Sequence, residues 1–261
     1  MSTNTELKID LAERFPHLPK APIVEAVIDI RARAEVALEE STVSQQLKPK
    51  LPDYPKIVSQ KELRQEFKLE PGKTPEATTQ DVGWKGLRSQ SADERHIAQF
   101  NRDGFVFSRL RPYESWEQLN GEAMRLWQLY IELARPTEVH RIGLRYINRI
   151  TLPPQDLRFE DYVQPSPEPP RALDLPFHSF FHQDTLAVPG HSYAINVVQT
   201  IQLPNDPRTE GIALILDIDV FTLQPFELRR EMLDQRLAEM RWLKNKVFFG
   251  SLTEKALHSF K

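Results

Sequence analysis

Apolar and polar side chains alternate most sharply in the stretch APIVEAVIDIRARA. Val24, Ala26, Ile28 and Ile30 take one face there, and Glu25, Asp29 and Arg31 take the other. A period of two over that length predicts a half-buried strand. Further on the period changes. Trp116, Leu119, Ala123, Trp127, Ile131 and Ala134 recur at helical spacing and make one apolar stripe. Ser115 with Gln118 three residues later has the form of a capping box, and Pro136 marks the exit, so one long amphipathic helix is predicted between them. His140 to Ile150 then reads as a long strand.

The remaining pattern is shorter in range. A short helix is expected near Glu39 to Leu47, ended by Pro49 and Pro52. Lys56 to Glu70 suits a strand or a short helix, with the strand preferred; Pro71-Gly72 is a turn, and Thr74 to Asp81 an exposed hairpin tip. GWKGLRSQS, HIAQFN and FVFSRL are strand candidates, the last two joined by the turn residues Asn101-Arg102-Asp103-Gly104. Residues 151–172 are rich in proline and read as a surface loop with one helical turn near Phe159 to Val163. Strands are expected at Phe177 to Leu186, Tyr193 to Leu203 and Ile212 to Phe221, with turns at Pro189-Gly190 and Asn205-Asp206-Pro207. A last long helix follows Pro225, with Met232 or Leu233, Leu237, Met240, Leu243 and Val247 inward, and Gly250 stops it; Leu252 to Phe260 suits a short terminal helix.

The order strand, short helix, antiparallel strands, long helix thus occurs twice, over Ile23 to Ala134 and over His140 to Val247. Local text agrees in places: Pro112-Tyr113-Glu114 answers Pro225-Phe226-Glu227, and Met124-Arg125-Leu126-Trp127 answers Met240-Arg241-Trp242-Leu243. The expectation is an α+β protein, an antiparallel sheet or sheets with helices packed on one face, built by internal duplication. Residues 1–20 would be a flexible leader, 21–135 the first half and 136–261 the second, as two lobes or one continuous domain. The groove between such halves is the default place for a ligand.

Composition narrows the chemistry. A net charge of -3 over 261 residues does not suggest a nucleic-acid coat or a polybasic membrane binder, although a local basic face stays compatible with it. With no cysteine there are no disulfides, thiolate metal sites or cysteine nucleophiles. No run approaches the roughly 20 apolar residues of a membrane span, and Met1 to Pro19 lacks the apolar core of a signal peptide, so a cytoplasmic protein is expected. There is no P-loop and no G-x-G-x-x-G, and the sequence calls for no cofactor.

Four constellations could carry chemistry. In HRIGLRYINRI, period-two geometry puts Arg141, Arg145 and Arg149 on one face, where they could hold phosphate or carboxylate groups. The plainer reading pairs them with acids on neighbouring strands, Glu25, Asp29, Asp217 and Asp219. Asp217 and Asp219, a D-x-D pair on one strand face, could instead hold Mg²⁺ for phosphoryl chemistry, but no phosphate-gripping turn accompanies them. His178 and His182 share a strand face or an i, i+4 helix face; the flanking phenylalanines favour a packing segment over a zinc site. In SRLRPYESW, Arg109, Arg111 and Tyr113 could grip a nucleotide or single-stranded nucleic acid, against a structural role for Tyr113 and Trp116 at the helix start. Asn148, polar on the apolar face of its strand, is expected to satisfy backbone groups.

Four blocks, APIVEA, SRLRPYESWE, LRYINRI and FFGSLTEKA, resemble those of an uncharacterised, sporadically distributed prokaryotic family of about this length, in the same order along the chain. The resemblance spans Ala21 to about Phe260 and brings no catalytic residues with it. It implies an accessory factor of the toxin–antitoxin, mobile-element or phage-defence type. The combined expectation is a binding or interaction protein that recognises a protein partner or an anionic ligand between its halves. The rival is a metal-dependent enzyme acting on a nucleotide or nucleic acid.

Overall fold

In the computed structural model the alternating stretch Ile23–Ala32 is β1, and it lies at the middle of one wide sheet. The structure describes residues 6–68, 76–152, 158–168, 178–203 and 211–261. Among these the elements run β1, α1 (Glu40–Leu47), β2 (Lys56–Lys68), β3 (Glu76–Gln90), β4 (His96–Asn101), β5 (Gly104–Leu110) and α2 (Trp116–Ala134). There follow β6 (Glu138–Thr151), β7 (Phe181–Ala187), β8 (Tyr193–Gln202), β9 (Ala213–Thr222), the two-residue β10 (Phe226–Glu227), α3 (Arg230–Ser251) and α4 (Glu254–His258). The fold is α+β.

All described strand pairs are antiparallel, in the order β2-β3-β4-β5-β1-β6-β9-β8-β7, with β10 against the start of β6. Successive hairpins account for β2 to β5 and β7 to β9; the long-range step is β1 beside β6, joined in register at Ile28↔Leu144. The turn into β5 needs glycine. Gly104 has φ of +151°, and a Cβ there would meet the Ile30 carbonyl oxygen at 2.3 Å.

One face of the sheet is dry. Ala26, Ile28 and Ile30 of β1, Phe105 and Phe107 of β5, Ile142, Leu144 and Tyr146 of β6, and Leu214 to Val220 in alternation on β9 are all buried. α2 meets this face through Trp127, whose ring centroid lies 6.1 Å from that of Phe105. α3 packs on β6 and β9. Burial of these apolar faces is the main driving term for the fold. The buried residues form one continuous cluster from Leu18 to Phe260.

Local signals explain the ends of α2. Ser115 Oγ accepts from the Gln118 N–H at 3.2 Å, as the capping box predicts, and Arg135 closes the helix in the left-handed region, its N–H bonded to Ile131 O at 2.9 Å. α3 starts later than expected, because Phe226-Glu227 pairs with Val139 and Glu138 of β6 before the helix begins. Gly250 does not stop it; α3 continues to Ser251.

The leader departs from a free tail. Residues 6–20 hold no strand or helix, yet Leu7 N–H donates to Pro189 O at 2.9 Å, Lys20 N–H donates to Phe260 O at 3.0 Å, and Leu18 is buried. The Pro71-Gly72 and Asn205-Asp206-Pro207 turns, Phe177, and parts of the 74–81 tip and of the 151–172 loop lie outside the described residues. No described helix is long and apolar enough to cross a membrane.

Candidate functional site

The arginine stripe of β6 stands on the opposite face of the sheet from Ile142, Leu144 and Tyr146, and Arg141 and Arg145 are engaged in ion pairs there. Arg141 lies 3.2 Å from Asp219 and 3.6 Å from Asp29. Arg145 makes a two-pronged contact with Asp217, with Nε 2.9 Å from Oδ1. Arg149 reaches Thr151 at 3.4 Å. Arg141 also stacks over Phe221, 4.7 Å to the centroid. Strand pairing forces this arrangement, since Arg145↔Asp219 and Ile147↔Asp217 are cross-strand partners. Burial, partly offset by the neighbouring arginines, raises the carboxyls of Asp29 and Asp219 above their usual range.

Asp217 and Asp219 therefore have guanidinium partners already. Among the described residues no cluster of three or more His, Asp or Glu is placed to hold a metal ion. His182 is exposed and pairs with Asp184 at 2.8 Å, while His178 precedes β7, so the two histidines do not share a helix face. Arg109 is buried on the dry face, held by Glu114 at 2.9 Å and by His96 Nε2 at 2.7 Å. Arg111 is exposed at the cis Arg111-Pro112 corner.

A half-open pocket lies elsewhere. A cavity of about 320 Å³ sits between the start of α2, the length of α3 and the residues 11–18 of the leader, with β6 contributing its floor. Of the residues singled out from the sequence as site candidates, Tyr113 lines it; Arg141, Arg145, Arg149, Arg109 and Arg111 do not. The floor is Tyr146 and Asn148. Tyr146 is fully buried, crosses Tyr113 edge-on at 5.6 Å and shares a 3.2 Å hydroxyl contact with it. Burial pushes the Tyr146 phenol far up, so it stays protonated. Asn148 donates from Nδ2 to Leu216 O at 2.9 Å, the backbone role expected of it.

The residue that dominates the cavity is Lys244. It is 9% exposed, and its Nζ lies 4.1 Å from the centroid of the Tyr146 ring. Burial, and then the charge of Arg241 one turn away, bring its ammonium down to about 7. Three carboxylates line the same cavity, and each is committed elsewhere. Glu13 accepts from Trp242 Nε1 at 2.8 Å and pairs with Lys246 at 3.0 Å. Glu114 holds Arg109 at 2.9 Å, and Glu117 lies 3.4 Å from Arg241, which stacks over Trp116. Lys244 makes no hydrogen bond or ion pair with any described residue.

Lys244 was legible in one respect. It falls in register with Leu233, Leu237, Met240 and Phe248 on the inward stripe of α3, all buried. A lysine in an apolar stripe is the signal, and its meaning depends on what lies opposite. A second hollow, about 790 Å³ at the foot of the β2–β3 hairpin, is lined by both signs of charge. Its Arg33, Arg102, Glu39, Glu40, Glu62 and Asp103 are all exposed, so none of these charges is desolvated; the buried polar group in its lining is the indole N–H of Trp84, which has no partner among the described residues. A scan of the chain against protein-family models finds no match, and a search of curated proteins finds none.

Proposed function

We propose that the chain is a binding protein, built from two similar halves, that takes a small anionic ligand in the cleft where the halves meet. The strand order supports the duplicated reading: β1 and β6 are central, β5 and β9 flank them, β4 and β8 come next, and a long helix closes each run. On that reading the cleft between α2 and α3 straddles the pseudo-two-fold axis, the groove expected of a duplicated unit.

The observation that carries the ligand class is Lys244, a buried amine with no carboxylate partner among the described residues. Burying an ammonium costs several kcal/mol, and a cation–π contact with Tyr146 returns about 0.5–2 kcal/mol. A carboxylate entering the cavity would offset the remainder, and the aromatic walls of Tyr113, Trp116, Tyr146 and Trp242 suit a planar body. A volume of about 320 Å³ is at the small end of ligand sites, which favours a small molecule over a peptide segment.

The test compares benzoate with benzamide, one charged and one neutral, by thermal shift on the wild-type chain and on Lys244→Met. The expected result is stabilisation by benzoate alone, lost in the variant. Equal shifts from both compounds, or a benzoate shift that survives in Lys244→Met, would sink the reading.

A further inference from the structure

We infer that Lys244 is a carbonyl-capturing amine, whose Nζ in this cavity condenses with an aldehyde or 2-oxo acid to form an imine. The inference rests on the reading of the cavity as a site for anions and names the ligand's reactive group. Two arrangements are known to turn lysine into a nucleophile at neutral pH: desolvation in an apolar pocket and a second cation nearby. Both surround Lys244. Tyr146, Tyr113 and Phe248 give the apolar setting, and Arg241 supplies the second charge from the same helix.

The groups that face this amine from each packed element set its protonation. From the leader come Glu13, Arg14 and His17; from the corner before α2 and its first turn come Tyr113, Glu114 and Glu117; from β6 comes Tyr146. The three glutamates are held by Trp242 and Lys246, by Arg109 and by Arg241, so none neutralises the ammonium. Arg14 and His17 are exposed at the rim, where they would draw the carboxylate of a 2-oxo acid toward the amine. The amine's depressed value of about 7 leaves a large neutral fraction at neutral pH, against about one part in 3,000 for a lysine at its ordinary 10.5.

The chemistry balances without any further reagent. The Nζ lone pair forms a C–N bond to the carbonyl carbon. The carbonyl oxygen then leaves as water, carrying the two amine protons, and a C=N bond remains. Adding cyanoborohydride delivers hydride to the imine carbon and makes the link permanent.

The experiment incubates the wild-type chain with glyoxylate and cyanoborohydride, then maps the modified lysines by peptide mass spectrometry. Because the readout is residue-resolved on wild-type protein, it does not depend on a variant that folds. Lys244 is expected to be carboxymethylated about tenfold faster or more than exposed lysines such as Lys61 and Lys246 at neutral pH, and to slow as pH falls below 7. Benzoate is expected to protect Lys244 and leave the exposed lysines unaffected. Labelling of Lys244 at the rate of exposed lysines would overturn the inference, and if benzoate still binds, the anion reading stands alone. Selective labelling of Lys244 by neutral propionaldehyde with no protection by benzoate would uphold imine formation and remove the anion site.

Discussion

The Lys244 ammonium lies 4.1 Å from the centroid of the Tyr146 ring, and these two residues join α3 to the central strand β6 across the cavity floor. The contact sits beneath a leader that is pinned on both sides of it, so burial of the amine is a property of three segments far apart in sequence. Its consequences for stability, mobility and the opposite sheet face can each be measured.

Stability is expected to rise with pH through the neutral range because of Lys244. In the unfolded chain its amine holds a proton up to about 10.5; in the folded chain it releases it near 7. Between those values the unfolded state binds more protons, so raising the pH favours folding. The gain is at most on the order of 4 kcal/mol from about pH 7 to about pH 10. Above that the raised phenols of Tyr54, Tyr130, Tyr146 and Tyr193 act in the opposite sense. Lys244→Met should be more stable than wild type at pH 7 and flat across the window. Urea unfolding at several pH values reads this directly, and parallel curves for the two proteins would contradict it.

Releasing the leader should expose the cavity. Glu13 ties Trp242 and Lys246 of α3 to the leader, and Phe15 stacks on Phe249 at 5.5 Å. Glu13→Ala removes the polar tie at a cost of about 1 kcal/mol. Amide exchange is expected to accelerate over residues 7–18 and leave β1 and β6 unchanged. Uniform acceleration would mean that the leader is part of the cooperative core.

Arg145→Ala should cost stability and spare the cavity. The guanidinium is half-exposed, but its partner Asp217 is 13% exposed and is left without its two-pronged contact. The expected loss is about 1 kcal/mol in urea unfolding, with the benzoate thermal shift retained. Loss of that shift in a folded Arg145→Ala protein would return the arginine stripe to the ligand site.

Gly104→Ala should be disproportionately damaging for so small a change. The added methyl would meet the backbone oxygen of Ile30 at 2.3 Å, at the point where β5 joins β1. A loss of more than about 2 kcal/mol is expected, against a few tenths of a kcal/mol for an unconstrained surface position. Gly121→Ala, in an open part of α2, is the control and should be neutral or stabilising.

What the sequence determined by itself was local. The strand at Ile23–Ala32 and the helix capped by Ser115 follow from period and capping chemistry, which act within a few residues. The pairing of Arg141 and Arg145 with Asp29, Asp217 and Asp219 could also be anticipated, because strand alternation fixes which face each side chain takes. Only the tertiary structure decided where the pocket would lie. The cavity needs Tyr146 from β6, Lys244 from α3, the corner at Tyr113 and a leader without any periodic signal, and these meet only when β1 pairs with β6. A lysine in an apolar stripe is visible in the text of α3. That it has no partner depends on where Glu13, Glu114 and Glu117 direct their carboxylates, which is set by packing between segments up to 229 residues apart.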